Sequence, residues 1–255
     1  MAFEYIGVLN SIRRPLPMVE RGLRSFLRQA QAPKQIILID QNTEKLQLSS
    51  DLSADARLVH LHRPVPSVGM ARNLVPDQPD AEWLLFCDDD GFLADDYVSE
   101  VMKLLSEEPK LELLAGPYIH DTDGRYYSYR HEIGGRLDNW LGTKLMLGSN
   151  FCIRAETYNR IGRYDTRFGP GSGFPSSDET DLCWRAYQAN VPMKYSDHIR
   201  VFHPPAHARD TRDAIQKAYN YGRGKGALTA KWIFERPSFL GFWEFVEMNV
   251  TPFIN

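Results

Sequence analysis

The 255-residue chain has no long apolar run, no large excess of either charge and few cysteines, and each shortage excludes a class of protein. No stretch approaches the roughly 20 consecutive apolar residues that a membrane-spanning helix needs. A formal net charge of −3 confers no general affinity for nucleic acid, and none is expected as a partner. The three cysteines, Cys87, Cys152 and Cys183, are odd in number, widely spaced and without a CxxC pair, so they read as free core thiols in a reducing compartment. The segment Met1-Ala2-Phe3-Glu4-Tyr5 lacks a basic stretch followed by an apolar one. A cytoplasmic protein is expected, peripheral on the cytoplasmic face of a membrane if it meets one.

What is present is a 43% hydrophobic content, enough for one sizeable core. Apolar runs at residues 5–9, 36–39, 57–61 and 83–87 predict strands, and helical spacing over 17–29, 69–74 and 95–105 predicts helices between them. This alternation predicts an α/β fold, a mostly parallel Rossmann-like sheet flanked by helices. From residue 111 the pattern changes to a strand ending at Gly116, a small hairpin insertion around Asp121-Thr122-Asp123-Gly124, a strand over 147–153, a helix over 177–189 and a last strand before His203. After Pro205 the chain becomes helical and basic, with Arg209, Arg212, Lys217, Arg223, Lys225, Lys231 and Arg236, then aromatic, with Phe239, Phe242, Trp243 and Phe245. We expect a main domain over 1–205 and a helical extension over 206–255 that rests on an inner-leaflet membrane surface or on a partner subunit.

The strongest chemical signal is Asp88-Asp89-Asp90, which closes the apolar run Trp83-Leu84-Leu85-Phe86-Cys87. In α/β sheets ligands bind beyond the carboxyl ends of such strands. Carboxylates held that close repel one another unless a cation or a shared proton relieves them. Hard oxygen ligands at an open rim suit Mn²⁺ or Mg²⁺ carrying a substrate's phosphates.

The order of the motifs resembles a family-2 glycosyltransferase with the GT-A fold, across roughly residues 4–205. Ser11-Ile12-Arg13-Arg14 stands where the family has a Thr-x-Asn-Arg-like segment, with Arg13 departing from the Asn. Asp40 ends the second strand, Gly69-Met70-Ala71-Arg72-Asn73 matches a Gly-x-Ala-Arg-Asn segment, and the acid triplet matches the Asp-x-Asp motif. Asp178-Glu179-Thr180-Asp181 matches an acidic pair opening a helix, and His203 a late histidine.

The resemblance implies an inverting, metal-dependent transfer of a sugar from a UDP-, GDP- or dTDP-sugar to a hydroxyl of a glycan or lipid-linked glycan, in cell-surface polysaccharide synthesis. Residues 1–115 would then form the nucleotide-binding half and 116–205 the acceptor half. It implies Asp90, His203 and Asp88 as metal ligands. Ser11, Arg13, Asp40, Arg72, Asp88 and Asp89 would bind the nucleotide-sugar. Glu179 or Asp178 would be the general base, the reversed Asp-Glu order leaving that choice open, and Trp140 and Asp181 would meet the acceptor.

Other readings accompany these. Ser176 to Glu179 also spells a capping box, Asp95-Asp96 reads as a helix cap, and Gly222-Arg223-Gly224-Lys225-Gly226 looks phosphate-binding without following a strand. Asp88-Asp89-Asp90-Gly91 also looks like the nucleophile loop of haloacid-dehalogenase-type phosphatases, with Asp88 as nucleophile and Asp90 as acid. A nucleotide-sugar-binding module without turnover is the third reading.

Overall fold

The computed structural model describes residues 3–146, 148, 150–205 and 211–250. In chain order its elements are β1 (Tyr5–Ser11), α1 (Leu16–Leu27), β2 (Gln35–Asp40), α2 (Ser50–Ser53), β3 (Leu58–His62), α3 (Val68–Arg72), β4 (Trp83–Asp88), β5 (Phe92–Leu93), α4 (Tyr97–Glu107), β6 (Leu113–Ala115) and β7 (Tyr118–His120). There follow α5 (Tyr129–Ile133), a 3₁₀ turn (Gly142–Leu145), β8 (Phe151–Arg154), α6 (Ala155–Arg160), α7 (Asp178–Gln188), β9 (Met193–Tyr195) and β10 (Val201–His203). Two long helices close the described chain, α8 (Thr211–Ala230), running into a π-helical turn (Lys231–Glu235), and α9 (Phe239–Val250).

The main sheet has 7 strands in the order β3-β2-β1-β4-β8-β6-β9. Strands β1 to β4 run parallel to one another, and β8 is inserted antiparallel between β4 and β6. Alternation decides which residues go to which face. Ile6, Val8, Leu84 and Phe86 join one core layer, while Tyr5, Leu9, Trp83, Leu85 and Cys87 join the layer on the other side. A central strand covered on both faces must be apolar throughout, which is why β4 reads as an unbroken hydrophobic run. The register sets Ser11 opposite Asp40 and Asn10 opposite Asp88, so the polar ends of β1, β2 and β4 arrive at one edge.

The expected small hairpin forms around Asp121-Thr122-Asp123-Gly124, with Ile119 bridged antiparallel to Tyr126, the Tyr127 amide on the Tyr118 carbonyl at 2.9 Å and the His120 amide on the Arg125 carbonyl at 2.8 Å. Its first strand, β7, also runs parallel to β10 in a small sheet ordered β5-β10-β7. That sheet matters because β10 ends at His203 and β5 follows directly on the acid triplet. The boundary expected at 205/206, and Arg209 and Leu147, lie outside the described residues. The three cysteines are free and buried. Among the described residues no helix is long and apolar enough to cross a membrane.

The glycine cluster 222–226 lies inside α8 rather than in a phosphate-binding loop, and its cations are used internally. Arg223 reaches the Gly173 carbonyl and Lys225 reaches Glu244. Asp96 sits at the N-cap of α4 without a side-chain capping bond and pairs with Arg200 instead.

His131, fully buried in α5, holds the corner between β7 and the 3₁₀ turn. Its Nδ1 accepts from the Tyr118 amide at 3.3 Å, so Nε2 carries the proton and donates to the Leu145 carbonyl at 3.2 Å. Burial pushes its pKa down from 6.5 to about 4. The unfolded chain therefore takes up this proton at higher pH than the folded one. The stabilisation is whole above pH 6.5 and is lost as pH falls towards 4, by up to about 1.4 kcal/mol per pH unit. Urea denaturation between about pH 7 and pH 4.5 should show a shallower decline in His131→Gln than in the wild type. Parallel declines would contradict the assignment.

Candidate active site

Strand β4 delivers its triplet to three different partners. Asp88 Oδ1 accepts from Arg72 Nη2 at 2.9 Å and its Oδ2 from the Tyr118 hydroxyl at 2.7 Å. Asp89 turns back towards β1, accepting from Arg14 Nε at 3.0 Å and from the Ile12 amide at 3.3 Å. Asp90 meets His203 Nε2 at 3.0 Å and Arg14 Nη2 at 2.9 Å. The repulsion expected of adjacent carboxylates is thus offset by two guanidinium groups and an imidazole. Burial, with the charges of Asp90 and Asp88 against that of Arg14, still pushes Asp89 up to about 6. Burial works the same way on Asp90, but the hydrogen bond and charge of His203 outweigh it and hold that carboxyl below its usual range.

Asp88, Asp90 and His203 offer ligand atoms within 4.8 Å of one another. His203 Nδ1 lies 2.6 Å from the Pro204 carbonyl, which fixes the proton there and aims Nε2 at the carboxylates. A histidine tied in this way through its far nitrogen is in the tautomer that binds a metal. Two carboxylates and an imidazole fit Mn²⁺, and Mg²⁺ less closely.

Arg72 joins this cluster to a second one. Helix α3, capped by the Ser67 hydroxyl on the Met70 amide, is only long enough to place Arg72 at its end, where the side chain is 2% exposed. Its Nε donates to Asn10 Oδ1 at 3.1 Å and its Nη1 to Glu179 Oε1 at 2.9 Å and the Tyr164 hydroxyl at 3.0 Å. The nucleotide contact expected of Arg72 is here a bridge between Asp88 and Glu179.

The acid pair stands at the start of α7, but the capping box does not form. Ser177 is the N-cap, in a left-handed conformation and without a side-chain capping bond, and Glu179 reaches Arg72 instead of its own helix. Asp178 is 2% exposed and lies under Gly169, whose φ is +92° and whose added Cβ would stand 2.6 Å from the Asp178 carboxyl. Burial, then the Glu179 charge beside it, raises the Asp178 pKa well above the usual range despite Arg72. Of the two candidate bases, Glu179 is the more accessible one, with 17% of its side chain exposed.

Several expected site residues are engaged elsewhere. Asp181 is fully buried; its oxygens take Arg185 Nε at 2.8 Å, Lys231 Nζ at 2.6 Å and the Trp232 indole at 2.9 Å, leaving none for an acceptor. Trp140 packs edge-on against Phe239 and Trp243 at 5.3 and 4.8 Å, so its expected acceptor contact gives way to packing on α9. Asp40 is fully buried and accepts from the Asn42 and Leu46 amides, the Asn42 side chain and His60, ordering its own loop rather than facing a base. Ser11 is buried at the end of β1, and Arg13 is exposed with φ +55° and its amide on Asn42 Oδ1. Sequence reasoning missed Arg14 and Tyr118. Arg14 was findable, as a cation after β1 level with a strand ending in acids; Tyr118 carried no signal.

The sequence profile of Glycosyl transferase family 2 matches residues 7–169. The chain belongs to glycosyltransferase family 2. Membership makes it a transferase, and the family match takes in Asp40, Arg72 and the acid triplet while stopping short of Glu179 and His203. Among solved structures, this glycosyltransferase is similar to S. aureus TarS 1-349, at 13% identity and a TM-score of 0.61 over 91% of this chain and 73% of that one. It is also similar to a longer S. aureus TarS structure, at 14% identity and a TM-score of 0.62 over 91% of this chain and 44% of that one. At such identities the likeness speaks for the fold, which is of the GT-A type. Among curated protein sequences no relative matches. The Asp88-Asp89-Asp90 turn follows β4, not β1 where a dehalogenase-type nucleophile loop sits, so the phosphatase reading finds no support in the topology of this glycosyltransferase.

If Asp181 anchors α7 from behind, Asp181→Ala leaves Arg185 buried without its carboxylate and Lys231 with Asp165 alone, and costs about 3–5 kcal/mol. Urea denaturation measures this. Near-normal stability with lost turnover would return Asp181 to the acceptor site.

Proposed function

We propose that this glycosyltransferase is metal-dependent and inverting, moving a sugar from a UDP-, GDP- or dTDP-sugar to a hydroxyl of a glycan or lipid-linked glycan. The observation that carries the reading is the pair of clusters joined by Arg72, with Asp88, Asp90 and His203 on one side and Asp178 and Glu179 on the other. Asp88, Asp90 and His203 would hold Mn²⁺ or Mg²⁺, and Asp89 would stay behind them on Arg14 and the Ile12 amide. When bound, the cation neutralises charge on the departing nucleoside diphosphate. Arg14, with 36% of its side chain exposed, stands at the rim for phosphate oxygens, which its planar fork suits. Ser11 and Arg13 would lie along the nucleotide, with Asp40 supporting its loop.

Glu179 takes the proton of the attacking hydroxyl. A single displacement inverts the anomeric carbon and needs one such base on the face opposite the leaving group. Asp178, buried and with its pKa raised, shapes the site and is the less suited of the two to that role. The setting is cell-surface polysaccharide synthesis at the cytoplasmic face of a membrane, with α9 turned to the inner leaflet or to a partner subunit. Phe239, Phe242 and Phe245, each more than half exposed, support such a contact.

Thermal melting with UDP, GDP or dTDP tests the donor reading. One of them at about 100-fold over Kd, with Mn²⁺, should raise Tm by roughly 5–10 °C, and His203→Ala should lose the Mn²⁺-dependent part. Stabilisation by fluoroberyllate and by none of the nucleotides would favour a phosphatase. Glu179→Gln should lower turnover of the accepted donor on the order of 10²–10⁴-fold and leave nucleotide binding intact. Wild-type binding with no turnover of any nucleotide-sugar would leave only a binding module.

A further inference from the structure

Helix α8 reaches the acid pair. At Gly224 it lies against Ser176 so closely that an added Cβ would collide with Ser176 Oγ, and that hydroxyl donates to the Tyr221 carbonyl at 3.2 Å. Arg223 Nη2 donates to the Gly173 carbonyl at 3.1 Å. The segment clasped in this way leads directly into Asp178 and Glu179. Three residues before Gly224, Tyr221 is 51% exposed, unlike the tyrosines built into the core. Lys217, one turn earlier, lies 5.8 Å from the centre of its ring. Partial burial, then the charges of Glu179, Asp178 and Asp88, raise the pKa of its phenol.

A second tyrosine comes from the other half of the site. Tyr127, in the loop before α5, stands edge-on to His203 at 5.1 Å and to Tyr118 at 6.0 Å. Burial raises its phenol too, followed by Tyr221, Asp90 and Asp88. Two phenols from separate elements therefore border the carboxylates that Arg72 joins. Sugar rings present C–H faces and hydroxyls, and tyrosine meets both, with an apolar face and a protonated donor.

We propose that Tyr221 is an acceptor-contact residue, its ring forming a wall of the acceptor subsite above Glu179 with Tyr127 on the neighbouring wall. Helix α8 is on this account part of the active site and not an appendage. The proposal rests on the glycosyl-transfer reading, in which Glu179 serves the acceptor hydroxyl. Binding the acceptor through a ring on α8 makes the distance from α8 to α7 a determinant of specificity, and Gly224 sets that distance.

The full chain is assayed with UDP-, GDP- and dTDP-hexoses as donors and a panel of octyl glycosides as acceptors. Tyr221→Ala should raise the acceptor KM by about tenfold or more, while the nucleoside diphosphate Kd and donor hydrolysis in water stay within about twofold. Tyr221→Phe, which keeps the ring and loses only the donor, should raise the acceptor KM by clearly less than Tyr221→Ala does. Alanine at this exposed helical position favours the helix, so the variant should melt with the wild type. An unchanged acceptor KM in Tyr221→Ala overturns the proposal. So does an equal loss in Tyr221→Phe, or a loss of diphosphate affinity that matches the loss of transfer. A wild type that binds no nucleoside diphosphate contradicts the donor reading itself, a result separable from any effect of Tyr221.

Discussion

Arg72 is a guanidinium 2% exposed to solvent, and it is tolerable there because Asp88 and Glu179 each accept from it at 2.9 Å. Removing either carboxylate would leave the buried charge under-compensated, at a cost of about 3–5 kcal/mol. The constraint works in both directions, since acids from β4 and α7 can stand together only with a cation between them. Chain segments far apart in sequence are thereby tied at one point: α3 supplies the arginine, β1 the amide of Asn10, and Tyr164 a hydroxyl and a ring face 5.1 Å from the guanidinium. The proposed metal cluster and the proposed base share this single fastening, which makes their separation a property of the fold.

The C-terminal helices extend the same logic. Helix α7 carries Glu179 on its solvent side, and on its other side Asp181 grips Lys231 and the Trp232 indole. Trp232 packs edge-on against Trp184 of α7 at 5.4 Å, within a cluster that includes Phe168, Leu228 and Leu240. The acid pair is thus clamped between Arg72 in front and the π-helical turn behind. A helix start held from both sides is a rigid mounting, which suits a group that must meet a reacting hydroxyl within hydrogen-bond distance.

The sheet was legible because a strand covered on both faces has to be apolar, and β1, β2 and β4 advertise themselves in that way. The acid triplet was legible for the converse reason, since clustered charge at the end of such a strand requires a neutralising partner. The partners were less so. Arg14 follows β1 closely, but nothing local said that it would fold back onto Asp89 and Asp90. The Ser176 to Glu179 capping box misled because a buried arginine is a stronger partner for Glu179 than a helix amide, and Ser176 found the Tyr221 carbonyl. The glycines of α8 read as a loop by propensity, yet Gly224 is needed for close approach to Ser176, a tertiary requirement that overrides the local cost of about 1 kcal/mol. Asp181 and Trp140 were assigned by motif position and by residue type, neither of which reports what packs behind a helix.

The central claim is that Asp88, Asp90 and His203 hold a divalent cation at the point where the nucleoside diphosphate departs. Diffraction from crystals grown with Mn²⁺ and the preferred nucleoside diphosphate, recorded at the manganese absorption edge, tests it most directly. The account predicts one anomalous peak in contact with Asp88, Asp90 and His203 and with the diphosphate oxygens, with Arg14 turned to the phosphates. Bound nucleotide with no anomalous peak among these residues, or a peak at other side chains, would contradict it.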